Sequence, residues 1–100
     1  IVDGLDANGQ RQLSDTLLAR LKSGVVVLGR KDEGKASIIV RVSADLTDKV
    51  KAGNIVKEIV PLLGGRGGGR PDMAEGGGPD ADKLGEAIEA SYVAIGRMVA

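Results

Sequence analysis

The sequence predicts an α+β fold, with three helices packed on a small mixed or largely antiparallel β-sheet. Three observations predict it. Two runs rich in β-branched residues, 25–28 and 37–42, flank a polar turn, as the strands of a hairpin do. Apolar residues recur at helical spacing in three longer stretches, around residues 13–21, 50–63 and 84–99. The resulting order, β-α-β-β-α-loop-α, suits helices laid on one small sheet. With 100 residues, the chain has room for one domain with one core, and residues 1–100 are read as that domain. Phe and Trp are absent and Tyr92 is the only aromatic residue, so the core must be built from Val, Ile, Leu and Ala.

Each element has its own signals. Residues 1–5 read as the end of a strand. The opening Ile1-Val2-Asp3-Gly4 has neither an initiator Met nor a signal-peptide pattern and reads as the cut end of a longer protein. Asn8 is placed to cap a helix over 9–22, with Leu13, Leu17, Leu18 and Leu21 on one face. Gly24 suits a left-handed C-cap. Val25-Val26-Val27-Leu28 reads as a strand buried on both faces, and Lys31-Asp32-Glu33-Gly34-Lys35 as a polar turn. In the returning strand, Ile38, Val40 and Val42 share one face, and Ile39 and Arg41 the other. Cap-type residues over 43–47 precede a stripe of Val50, Ile55, Val56, Ile59, Val60 and Leu63. Gly53 is expected to split this stretch into a short turn and a helix over 54–63, whose last turn Pro61 tightens. Gly78-Pro79-Asp80 forms a turn, with room for a short strand near 74–78 before it. Asp80 is the expected N-cap of a final helix over 81–99, lined by Leu84, Ile88, Ile95 and Val99. Gly85 and Gly96 weaken that helix by about 1 kcal/mol each relative to Ala.

Composition narrows the chemistry. Fourteen basic residues balance fourteen acidic ones, so the whole-molecule field does not point to a polyanionic partner. Without cysteine there is no disulfide, thiolate metal site or cysteine nucleophile. Without histidine the commonest general base and metal ligand are missing. No apolar run approaches the ~20 residues of a membrane span. The missing export signals lead to an expected cytoplasmic setting.

The densest information lies in residues 64–78, where eight of fifteen residues are glycine. Glycine loses the most backbone entropy on folding, so such a cluster implies left-handed turns or a close approach to the backbone. Arg66 and Arg70 stand among these glycines, and exposed amides with guanidinium forks suit phosphate oxygens. Known phosphate templates nevertheless fail. A Walker A loop counted from Gly64 reaches Gly69 and then Arg70-Pro71, without its Lys and Ser/Thr. The dinucleotide spacing from Gly65 or Gly67 closes on Arg70 or Asp72, and a helix stands where a strand should. The bland reading is that the glycines end a helix and fill tight turns. Local charge favours a further role. Residues 49–70 carry Lys49, Lys51, Lys57, Arg66 and Arg70 against Glu58, whereas residues 71–90 carry six carboxylates against Lys83. A basic patch there could meet a phosphate backbone.

Other candidates take plainer readings. Tyr92 is expected to be a partly buried packing residue, because a base-stacking surface needs several aromatics. Met73 and Met98 read as filler. Asp72 with Glu75 lacks a third ligand or a histidine, which argues against a metal or acid–base site. Asp32 and Glu33 read as a solvated hairpin tip.

The run Val56-Lys57-Glu58-Ile59-Val60-Pro61-Leu62-Leu63-Gly64-Gly65-Arg66-Gly67-Gly68-Gly69-Arg70-Pro71-Asp72-Met73-Ala74 closely resembles the C-terminal (C-Ala, DHH-associated) domain family of alanyl-tRNA synthetases. So do Gly24-Val25-Val26-Val27-Leu28-Gly29 and the approach Asp45-Leu46-Thr47 to Lys51-Ala52-Gly53. The resemblance runs from Val2 to about Ala90. Related domains of DHH-type phosphoesterases carry Gly-Gly-Gly-His, where this chain has Arg70 after Gly67-Gly68-Gly69; that residue favours the synthetase branch. The resemblance implies a non-catalytic tRNA-binding module of a larger enzyme. Such a module contacts the outer corner (elbow) of tRNA(Ala) and supports aminoacylation and editing by upstream domains of the same chain. It implies no cofactor in this fragment, while the parent family uses ATP, Mg and an editing-domain Zn. Gly64, Gly65, Gly67, Gly68 and Gly69 would lie against the RNA as bare backbone. Arg66 and Arg70 would fork onto phosphates, and Lys51 and Lys57 would add screened attraction. Two other readings stay open: a homodimerisation or protein-interaction module, and the substrate-binding domain of a DHH-type phosphoesterase. None involves a membrane.

Overall fold

The computed structural model describes residues 7–21, 23–32 and 34–99. Four strands, β1 (Val25–Asp32), β2 (Lys35–Val42), β3 (Arg66–Gly69) and β4 (Met73–Gly78), form one antiparallel sheet in the order β1-β2-β4-β3. Helix α1 (Ala7–Leu21) covers one face, while α2 (Ala52–Ile59) and α3 (Leu84–Val99) pack over the other. Among the described residues this is the expected α+β arrangement of three helices on a sheet, and the sheet is antiparallel throughout. The strand expected over residues 1–5, and the proposed helix end at Lys22, lie outside the described residues.

Two-residue alternation in β2 divides the core. Ile38, Val40 and Val42 meet Ile55, Val56, Ile59, Leu63, Leu84 and Ala87 in the larger cluster. Ile39 faces the other way, onto Val26, Leu28 and the partly buried Leu13, Leu17 and Leu18 of α1. Both clusters are aliphatic. Leu21, the last residue of α1, departs from the expected stripe and is 47% exposed. Asn8 lies within α1 rather than ahead of it. Gln10, buried on the inner side of α1, ties the helix to two strands. Its Nε2 donates to the Leu28 carbonyl at 3.0 Å, and its Oε1 accepts from Ser37 Oγ at 3.3 Å.

The hairpin is tighter than the polar pentapeptide implies. Pairing continues to Asp32 opposite Lys35, so both strands extend into the segment expected as turn; Glu33 of the expected tip lies outside the described residues. Gly34 has φ 79°, a left-handed geometry that glycine adopts without steric cost. Gly24 is not left-handed. Its N–H donates to Ser43 Oγ at 2.9 Å, and its carbonyl accepts from Ser43 N–H at 3.0 Å. These bonds fasten the start of β1 to the end of β2.

Gly53 does not divide the second helix but sits inside α2. A Cβ at Gly53 would stand 2.8 Å from the Gly69 carbonyl oxygen, so the helix backbone rests almost directly on β3. Two of the N–H groups that a helix start leaves unmatched find partners in the β3–β4 turn. Ala52 N–H donates to Pro71 O at 2.8 Å and Gly53 N–H to Arg70 O at 3.2 Å. Pro61 tightens the following residues into a 3₁₀ turn, Val60–Leu63, which Gly64 ends at φ 70°. Asp80 makes no side-chain cap for the final helix. Its carboxylate lies over Gly64 instead, 2.6 Å from where a Cβ there would stand. A 3₁₀ turn, Ala81–Lys83, leads into α3, whose buried row is Leu84, Ala87, Ser91 and Ala94. Tyr92 falls off that row and is 64% exposed, correcting the expectation of a packing role.

Candidate nucleic-acid interface

The glycine segment expected as a loop is an edge strand. Arg66, Gly67, Gly68 and Gly69 pair with Gly77, Gly76, Glu75 and Ala74 in turn. Nothing in the side chains of Arg-Gly-Gly-Gly recommends a strand; the surrounding packing does. A Cβ at Gly67 would approach Gly76 Cα at 2.5 Å and Val56 Cγ1 at 2.7 Å, and one at Gly65 would fall 1.7 Å from Gly77 O. The missing side chains let α2 and the 3₁₀ turn settle onto β3 and β4. At Gly68 the nearest atom to an added Cβ is Lys57 Cε at 3.7 Å, an ordinary contact.

This packing sorts the sequence-predicted site residues. Arg66 opens β3 and Arg70 follows it, and both are exposed. Among the described residues neither forms an ion pair. Gly67 and Gly69 are exposed between them, with Gly68 half-buried. The Lys57 stem passes beside Gly68, so this helix side chain accompanies the strand. Lys51, exposed at the start of α2, donates from Nζ to Thr47 O at 3.1 Å. It flanks the corner where α2 meets the carbonyls of Arg70 and Pro71. Gly64 and Gly65 stand apart: one lies beneath the Asp80 carboxylate and the other is pressed against Gly77. The assembled candidate is therefore a nearly side-chain-free strand rimmed by Arg66, Arg70, Lys57 and Lys51.

Sequence reasoning missed Arg11. From α1 it forks onto Glu75 of β4, Nε to Oε1 at 2.6 Å and Nη2 to Oε2 at 2.9 Å. Donation from the guanidinium holds the Glu75 carboxyl below its ordinary pKa against an opposing desolvation effect, with the Arg11 charge adding to the depression. Glu75 is thus engaged as an ion-pair partner and not joined to Asp72. Sixty-four positions separate the pair, and no local pattern announces it. Arg11 also lines a cleft with Gly68, Gly69, Arg70, Met73 and Glu75.

At the opposite sheet edge the surface is apolar. Leu17, Leu21, Val25, Val27, Tyr92 and Ile95 line a cleft of about 560 Å³ beside β1. No helix among the described residues is long and apolar enough to cross a membrane.

Comparison with known proteins follows the same lines. The DHHA1 domain model matches residues 1–95. An alanine–tRNA ligase of Rhizorhabdus wittichii is 48% identical over 101 aligned residues, covering 100% of this chain and 11% of that protein. One from Desulfosudis oleivorans is 53% identical across 87% of this chain and 10% of that protein. The chain spans about a tenth of the length of these relatives. A crystal structure of the C-Ala domain from Aquifex aeolicus alanyl-tRNA synthetase superposes with a TM-score of 0.80 at 36% identity, covering 87% of this chain and 78% of that one. The fold and these similarities agree: the chain belongs to the DHHA1 domain family, in the branch formed by the C-Ala domains of alanyl-tRNA synthetases.

Proposed function

We propose that this chain is a non-catalytic tRNA-binding module of an alanine–tRNA ligase, which contacts the elbow of tRNA(Ala) and supports aminoacylation and editing by other domains of the same enzyme. The observation that carries this reading is the edge strand β3, bare of large side chains and closed at both ends by exposed arginines. Folded RNA is read largely through shape, phosphates and 2′-hydroxyls. A flat strand can approach such a surface closely, and guanidinium forks can grip its phosphates bidentately. Lys57 and Lys51 supply longer-range attraction that salt screens. The kinship with alanine–tRNA ligases supports tRNA as the folded RNA concerned.

Titrating the isolated chain with a tRNA(Ala) transcript tests the proposal. Losing one or two charge-assisted phosphate contacts costs roughly 1–3 kcal/mol in total, so Arg66→Ala with Arg70→Ala should weaken binding by about 5- to 150-fold. Equal affinity for wild type and double variant would remove β3 from the interface. The competing reading, self-association, has the apolar cleft beside β1 in its favour. It predicts a sedimentation mass that grows with concentration, without RNA binding.

A further inference from the structure

We infer that the α1 side of the sheet carries a second RNA contact, a cationic trough that seats the phosphodiester backbone across all four strands. This inference rests on the RNA-binding reading above and extends it to residues outside the glycine segment. Sheet register assembles the trough. Arg30 pairs with Ser37, Ser37 with Gly77, and Gly77 with Arg66. Directly opposed residues share a face of the sheet, so these four form one row with an arginine at each end. At ~4.8 Å per strand, the two arginine Cα atoms are separated by about 14 Å. Between them the floor is a serine and a glycine, low enough to leave a hollow.

Two clefts, of about 450 and 270 Å³, share Arg30, Ser37 and Gly77, so they join over this floor. Lys35 lies in the first and Arg11, Gln10 and Arg66 line the second. A third cleft shares Arg11 and Glu75 with the second and reaches Arg70. The continuous path thus runs from Lys35 past Arg30 and Arg66 to Arg70, crossing the Arg11–Glu75 ion pair, which adds no net charge. Glu75 is the only carboxylate lining these clefts among the described residues, and both its oxygens accept from Arg11. A succession of cations along an open groove suits a repeating chain of singly charged phosphates. The path also leads from the β1–β2 turn to the rim of β3, linking the two contacts into one surface.

The test titrates the isotope-labelled chain with a tRNA(Ala) transcript and, separately, with a ten-nucleotide single-stranded RNA, following backbone amide shifts. Binding constants for Arg30→Gln, Ser37→Asp and Arg97→Gln are measured alongside. Arg30 is half-buried, so Ser37→Asp supplies an independent variant that places a negative charge in the floor. Arg97 on α3 pairs with Glu58, away from the trough, and controls for loss of one positive charge. The expected result is that tRNA shifts the Ser37 and Gly77 amides. Arg30→Gln and Ser37→Asp should each weaken binding about tenfold, while Arg97→Gln stays within twofold. Arg30→Gln should also lower the dependence of log K on log salt by about one. If tRNA binds but these amides and variants behave like the control, the trough is overturned and the β3 interface stands. If tRNA does not bind but the single strand moves Ser37 and Gly77, the trough stands and the tRNA reading falls. Silence of these amides toward both RNAs overturns the trough.

Discussion

A methyl group added at Gly67 would meet Gly76 Cα, Glu75 O and Val56 Cγ1, all within 2.7 Å. Backbone cannot yield as a flexible side chain can, so Gly67→Ala should cost about 1–3 kcal/mol of stability through overpacking. Gly68→Ala, with only Lys57 Cε at 3.7 Å, should change stability by less than about 0.5 kcal/mol. Urea unfolding midpoints of the two variants make the comparison, and equal losses would contradict the packing account. Gly85 in α3 is exposed and an added Cβ there meets nothing within 4 Å. Gly85→Ala should therefore stabilise the chain by about 0.5–1 kcal/mol, read from the same midpoints. Glycine content alone does not separate these positions. The letters are identical, and only the neighbouring backbone distinguishes a required glycine from a replaceable one. Tyr92 shows the same limit: its residue type favours burial, but the phase set by Leu84, Ala87, Ser91 and Ala94 turns it to solvent.

Elements whose own side chains carry the pattern were legible. The hairpin, the two faces of β2, the apolar stripe of α2 and the tightening at Pro61 all follow from periodicity and proline chemistry. Strand β3 was not legible, because strand signals consist of alternating β-branched and aromatic residues and this segment has none. Its pairing comes from β4 beside it and α2 lying on it. The tie between α1 and β4 was equally hidden. Arg11 and Glu75 are partly exposed, at 51% and 36% of their side-chain areas, so a double-mutant cycle should give a coupling below about 1 kcal/mol. The depressed Glu75 pKa fixes the sign of its pH dependence. The coupling is present above the unfolded glutamate pKa of about 4.3 and is lost as pH falls through the lower folded value. Cycles run at neutral pH and at pH 3 check this; a coupling that strengthens in acid would contradict it.

At the scale of the whole molecule, two sheet edges differ in character. The β3 edge is cationic and poor in side chains, and the β1 edge is bordered by an apolar cleft. The zero net charge hides this division, since opposite charges are segregated along the chain and then placed by the fold. The basic segment over residues 49–70 was visible in the sequence, and its rim around β3 takes in four of its five cations. The place of Arg30 on the neighbouring surface depended on sheet register, which pairs residues distant in sequence, and that of Arg11 on its side-chain tie from α1 to Glu75 of β4. A sheet-borne cationic surface should release counterions from RNA on binding, so affinity should fall steeply with salt. The most direct measurement is the dissociation constant of this chain for tRNA(Ala) at a series of salt concentrations, beside that of the Arg66→Ala, Arg70→Ala double variant. The account predicts a linear log–log decline for the wild type, and a slope shallower by about two for the double variant. Superimposable lines for the two proteins would contradict it.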